Sequence, residues 1–234
     1  MPLATSLIAL LASSFQMVPV PQVTASVDLS TGRNSAPMAV DAATKAKLDE
    51  LAKTYEKVAR DNYPLIIHAL RMEGDPVAKD VKIVVTYAYN GVAATGNSGF
   101  GGENTGARIS VSAKYALAHP NDLGMIVHEM VHVVQSYPNY NPVWLVEGIA
   151  DWVRWFNYEA LAKRPKPSPA KARARDSYQT TGAFLYWVST HYDINLVPKL
   201  NRAFKERAYK ESLFQDYTGK TLDQLDAEWR KTLG

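Results

Sequence analysis

His128-Glu129-Met130-Val131-His132, inside the stretch 122–135 where apolar residues recur at helical spacing, decides how this chain is read. On a helix, residues four apart lie on one face, so both imidazoles can reach a single cation. Glu129 sits about 100° further round the helix, which sets its carboxylate beside the metal rather than on it. Met125, Ile126, Val131 and Val134 flank the motif, so the helix is expected to be buried or to line a cleft. The chain has no cysteine, which excludes disulfides, thiolate metal sites and cysteine nucleophiles together. Any metal is therefore held by histidine and carboxylate, a donor set that at a tetrahedral site favours zinc.

A catalytic zinc takes three protein ligands and keeps a fourth position open. Trp144-Leu145-Val146-Glu147-Gly148-Ile149-Ala150-Asp151 supplies a carboxylate within an apolar helical stretch, a short Pro-containing turn after the first motif. An isolated buried Glu is costly, so Glu147 calls for a cationic partner. Asp151, four residues on, shares its face and can accept the outer N–H of a metal-bound histidine, fixing its tautomer. The alternative for Glu147 and Asp151 is a solvated helical face bridged to Arg154. His68, in an apolar helical segment, reads as structural, and His119, beside Pro120, as part of the turn into the motif helix.

These residues resemble the gluzincin peptidases, the group of thermolysin-type and aminopeptidase-type enzymes, whose third ligand is a Glu followed four residues later by an Asp. More narrowly, His128 to Gln135 followed by Glu147-Gly148-Ile149-Ala150-Asp151-x-Val153-Arg154 resembles the basic secretory protein family of plants and microbes, from about Val81 to His191. The resemblance implies an α+β, zincin-like (gluzincin) fold with a small mixed β-sheet, an active-site helix and a helical C-terminal half. It also implies Zn2+ on His128, His132 and Glu147, with Glu129 as general base. Tyr178-x-x-Thr181-Gly182-Ala183-Phe184-Leu185 resembles the tyrosine-bearing helix of the aminopeptidase branch, which makes Tyr178 the implied oxyanion donor, with Tyr186 and His191 in reserve. Glu147 follows His132 more closely than in thermolysin-like enzymes, so a tighter turn is implied. Glu103-Asn104 is faintly similar to an exopeptidase amino-terminus motif whose full pattern is absent, and the expectation is an endopeptidase.

Working outward, 47% hydrophobic and 10% aromatic residues in 234 give ample material for a core. Asp41 is placed to cap a helix that Pro64 should break or kink, with Gly74 as the stop. Residues 81–87 read as a β-branched strand, and Asn90-Gly91 as a hairpin turn that pairs 92–95 back onto it. A Gly- and Asn-rich loop over 97–106 leads to Arg108-Ile109-Ser110-Val111-Ser112, which alternates as a half-buried strand does. Arg108, Ser110 and Ser112 mark it as an edge strand whose backbone could pair with an extended substrate. Helices are expected over about 143–162, 178–191, 194–208 and 221–233. Strands first and helices second indicate α+β.

Net charge is +3, concentrated from Lys163 to Arg175. That run reads as a polyanion anchor or as a solvated Pro- and Ala-rich loop. No nucleic-acid-binding signature accompanies it. The first 25 residues carry no charge. Leu7–Leu11 is apolar, and Val23-Thr24-Ala25 offers a small-residue cleavage pattern, so 1–25 resembles a signal peptide cut after Ala25, although no basic residue precedes the apolar run. Gln16, Pro19 and Pro21 interrupt any membrane span. Residues 26–40 then form a flexible lead-in to one catalytic domain over 41–234, divided near 137. The reading is a secreted or periplasmic, monomeric zinc peptidase that uses a zinc-activated water and a Glu base on peptide or protein substrates. The alternative is a catalytically silent zincin scaffold that binds glycan, cell surface or polyanion. Peptide deformylase also uses a His-Glu-x-x-His helix, but it needs a Cys ligand.

Overall fold

The computed structural model describes residues 19–32, 35–75, 78–98 and 106–233. Four strands form one sheet in the order β1(Gln22–Asp28), β2(Asp80–Thr86), β4(Gly106–Ser112), β3(Ala93–Ser98). β1, β2 and β4 run parallel, and β3 pairs antiparallel with β4. Period-two alternation sends Val81, Ile83, Val85, Ile109 and Val111 to a fully buried face, and leaves Thr24, Ser26, Lys82 and Arg108 exposed on the other.

The buried face is covered by α1(Ala42–Leu70). Asp41 caps this helix as expected, its carboxylate accepting from the Thr44 backbone N–H at 2.6 Å. Pro64 does not break it: the helix runs 29 residues without interruption. Pro64 and Arg60, whose carbonyl loses its helical donor, both lie on the exposed side, so water can take the place of the missing bond. The helix ends at Arg71, in the left-handed region with φ 51°, before Gly74 is reached.

A short α2(Ala113–Ala118), capped by Ser112, leads to α3(Gly124–Gln135), the motif helix. All twelve residues of α3 are buried, between α1, β3 and α4(Val143–Val153). The expected helix over 143–162 stops at Val153 and unwinds through a π-helical turn, Arg154–Tyr158. Then come α5(Tyr178–His191), matching its expected span, α6(Leu196–Lys205), α7(Leu213–Thr218) and α8(Leu222–Lys231). The architecture is α+β, with the sheet and α1 in the first half and helices in the second.

Three expectations need correction. Residues 22–28 are a strand hydrogen-bonded to β2, so a cut after Ala25 would sever β1, and 26–40 is not simply a lead-in. β3 pairs with β4 rather than folding back on β2, and it extends to Ser98. Most of the expected Gly-rich loop, including Glu103-Asn104, lies outside the described residues. β4 lies between β2 and β3, so both its backbone edges are used and it cannot receive a substrate strand. Arg108 and Ser110 point to the sheet face opposite its buried side, and Ser112 is spent as the α2 cap.

Part of the basic run is paired within the fold, and Lys166, Lys171 and Arg173 are exposed on the loop. Lys163 pairs with Glu159 at 2.9 Å, and Arg175 bridges Glu211 and Asp223, each at 2.8 Å. The Arg164 guanidinium lies 4.6 Å from the Tyr186 ring centroid. Among the described residues, no helix is long and apolar enough to cross a membrane.

α4 and α5 cross closely enough to need glycine. A Cβ on Gly148 would stand 2.1 Å from Thr181 Cγ2, and one on Gly182 would stand 3.1 Å from the backbone of Asp151 and Trp152. Gly148→Ala should therefore destabilise the protein by about 1–3 kcal/mol through overpacking, read as a lower urea midpoint at unchanged m-value. A wild-type midpoint would show that Thr181 yields freely.

Candidate active site

α3 and α4 together bring His128, His132 and Glu147 to one point. His128 Nε2 lies 3.1 Å from His132 Nε2 and 3.2 Å from Glu147 Oε2, and His132 Nε2 lies 3.4 Å from the same carboxylate oxygen. All three side chains are at least four-fifths buried.

The outer ring nitrogens explain what these atoms are. His128 Nδ1 stands 2.7 Å from Asp151 Oδ1. A carboxylate only accepts, so Nδ1 carries the proton and Nε2 a lone pair. His132 Nδ1 stands 2.7 Å from Gln135 Oε1, while the Gln135 amide nitrogen donates to the Val146 carbonyl at 3.2 Å. That second bond fixes the amide's orientation, so His132 also carries its proton on Nδ1 and offers Nε2 as a lone pair. Two imidazole lone pairs and a carboxylate oxygen thus face one another, an arrangement that calls for a cation between them. Three donors on a tetrahedral zinc at about 2.0–2.1 Å stand about 3.3–3.4 Å apart, which these spacings match. The residues fit a metal.

In the metal-free protein a proton takes the cation's place. Burial works against a charged His128, but hydrogen bonds to Asp151 and Glu147 and the nearby carboxylate charges outweigh it, pushing the ring up from 6.5 to about 10. Burial likewise opposes a charged Glu147, yet hydrogen bonds from His128 and His132 hold its carboxyl well below the usual 4.5. Arg154 is not the partner of Asp151; it pairs with Asp122, which also accepts from the Tyr115 hydroxyl at 2.6 Å.

The three ligands open onto a cleft of about 800 Å³ lined by Glu129, Tyr140, Tyr178, Met125 and the start of β3, among others. Thr95 on β3 donates toward Glu129, its hydroxyl 2.6 Å from Oε2 and 3.0 Å from the backbone carbonyl. The free edge of β3 borders the cleft. Ser112 N–H bonds to Val92 O at 3.0 Å, so antiparallel alternation leaves Ala93 and Thr95 at the positions whose N–H and C=O turn outward. The Tyr89 hydroxyl donates to the outward Ala93 carbonyl at 3.1 Å and closes that end of the edge.

Tyr178 stands at the opposite rim, its ring stacked on His128 with centroids 6.1 Å apart. Ser177 and Tyr178 both have positive φ, 64° and 46°, a costly backbone that aims the ring over the metal ligands. The negative charge of Glu147, and then burial, raise the Tyr178 hydroxyl's pKa, so it stays protonated and able to donate. Tyr186 and His191, the reserves, lie elsewhere: Tyr186 stacks on Phe156, and His191 packs on Trp187. His119 stacks on Tyr115, and its carbonyl accepts from Asp122 N–H in the turn before α3.

The sequence reading missed Gln135, Thr95 and Tyr89. Gln135 was legible, since three residues past His132 is the same helix face. Thr95 and Tyr89 act through strand docking, which no local pattern encodes.

Two measurements follow from this geometry. Asp151→Asn, which weakens the charged acceptor on His128, should lower metal affinity about 10–100-fold in competition with a chelator; unchanged affinity would remove Asp151 from the site. The metal-free protein should also lose thermal stability as pH rises from 6.5 through about 10, because His128 is charged only when folded. Glu147 contributes in the other direction, with stability present above 4.5 and lost as pH falls below it. Equal alkaline profiles with and without metal would contradict this account.

No curated protein and no solved structure matches the chain. Residues 30–229 match the family BSP, described as Peptidase of plants and bacteria, and the chain belongs to that family.

Proposed function

We propose that the chain is a zinc-dependent endopeptidase of zincin-like, gluzincin type. The observation that carries this reading is the meeting of three lone-pair donors at zinc spacing beside Glu129, under the free edge of β3. His128, His132 and Glu147 would hold the ion, and Asp151 and Gln135 orient the two rings. When bound, zinc acidifies water and polarises a carbonyl.

The remaining chemistry belongs to the chain. An extended peptide pairs with the outward N–H and C=O of Thr95 on β3, which takes the role expected of β4. Glu129 removes a proton from the attacking water and delivers it to the leaving amine. Tyr178 donates its hydroxyl to the carbonyl oxygen as negative charge develops there. The cleft is walled on one side by residues 92–95, along which an extended chain could lie, a shape that suits cleavage within a chain. The uncharged apolar N-terminal stretch supports export to the periplasm or outside the cell, with any cleavage ahead of β1 rather than after Ala25. A silent binding scaffold is the weaker reading, since Glu129 is intact.

Glu129→Gln keeps the side chain's shape and removes its basicity. It should slow cleavage of a peptide library, read by mass spectrometry, by about 10²–10⁴-fold while metal content stays at the wild-type level. Wild-type cleavage by this variant would sink the assignment of the base.

A further inference from the structure

We propose that Thr95 is a positioning residue for Glu129, whose hydroxyl holds the carboxylate in the place from which it works. The inference rests on the reading of Glu129 as proton carrier. Glu129 is only 6% exposed, so its carboxylate needs a donor from the protein. Thr95 provides one from the strand that borders the cleft, its hydroxyl 2.6 Å from Oε2.

The second contact fixes the hydroxyl itself. The same hydroxyl lies 3.0 Å from the Glu129 backbone carbonyl. One hydroxyl thus sits against both the carboxylate and the backbone of the same residue, which narrows the positions open to the Glu129 side chain.

Thr95 also ties β3 to α3, so the test must separate positioning from scaffolding. The panel is Thr95→Val, nearly the same shape without the hydroxyl, Thr95→Ser, which keeps it, and Glu129→Gln, assayed as metal-loaded full-length protein on a peptide that wild type cuts. The expected result is a kcat lower by about 10–100-fold in Thr95→Val, with KM within about twofold, unchanged metal content, and kcat restored in Thr95→Ser. A Thr95→Val kcat near wild type, or a change confined to KM, would overturn the proposal and leave Thr95 as part of the wall. Should Thr95→Val fail to fold or to hold metal, Thr95→Ala takes its place: slow turnover beside an active Thr95→Ser supports the proposal, and equal turnover overturns it. Full activity in Glu129→Gln would instead remove the parent reading, whereas an inactive Glu129→Gln beside an unaffected Thr95→Val removes this inference alone.

Discussion

Two imidazole nitrogens and a carboxylate oxygen meet within 3.4 Å of one another inside a helix pair, all presenting electron density to the same small volume. Without positive charge between them the three atoms would repel, and a low-dielectric interior would magnify the repulsion; a metal ion, or in its absence a proton on His128, supplies that charge. Both imidazoles are also held from behind. Asp151 and Gln135 take the outer ring protons, and the Val146 carbonyl locks the Gln135 amide. α3 can therefore be buried along its whole length while carrying two histidines and a glutamate, since each finds a partner, His128 on α4, Glu129 on β3 and His132 within α3.

Glu147, Asp151 and the Val146 carbonyl come from α4, so the geometry of the site depends on how closely α3, α4 and α5 pack. Glycine at 148 and 182 lets α5 press onto α4 at backbone distance, next to Glu147 and Asp151. The two rims of the cleft are fixed differently. β3 is an edge strand whose outward backbone groups turn away from β4, and Tyr89 caps the row at one end by donating to the Ala93 carbonyl. Tyr178 is aimed by two successive residues in the left-handed region, a local cost that the anchoring of Thr181 on the Ala174 carbonyl helps to sustain.

Charge patterns read along the chain do not show which cations pair. In the run from Lys163 to Arg175, Arg164 stacks on Tyr186 and Arg175 bridges to Asp223, while Lys166, Lys171 and Arg173 stay exposed as in a solvated loop. A long cation finds buried apolar stem contacts and distant carboxylates only once the helices are assembled. In the N-terminal stretch it is the cut position alone that conflicts with the fold: residues 22–28 have the composition of a cleavage region and the position of a sheet strand.

That His128 shares a helix face with His132, and Glu147 with Asp151, was legible because each pair is four residues apart, and helical periodicity turns that spacing into spatial proximity; that the two pairs meet is a matter of how their helices pack. The Asp41 cap and the span of α5 were legible for the same local reason. Tertiary structure alone decided which strand became the edge, since strand order depends on crossovers that span dozens of residues, and β3 rather than β4 ended beside the cleft. It likewise decided that Thr95 meets Glu129, across 34 positions of sequence. A side chain's own neighbours set its secondary structure, but contact between elements follows from how their apolar faces stack, and that is a property of the assembled fold.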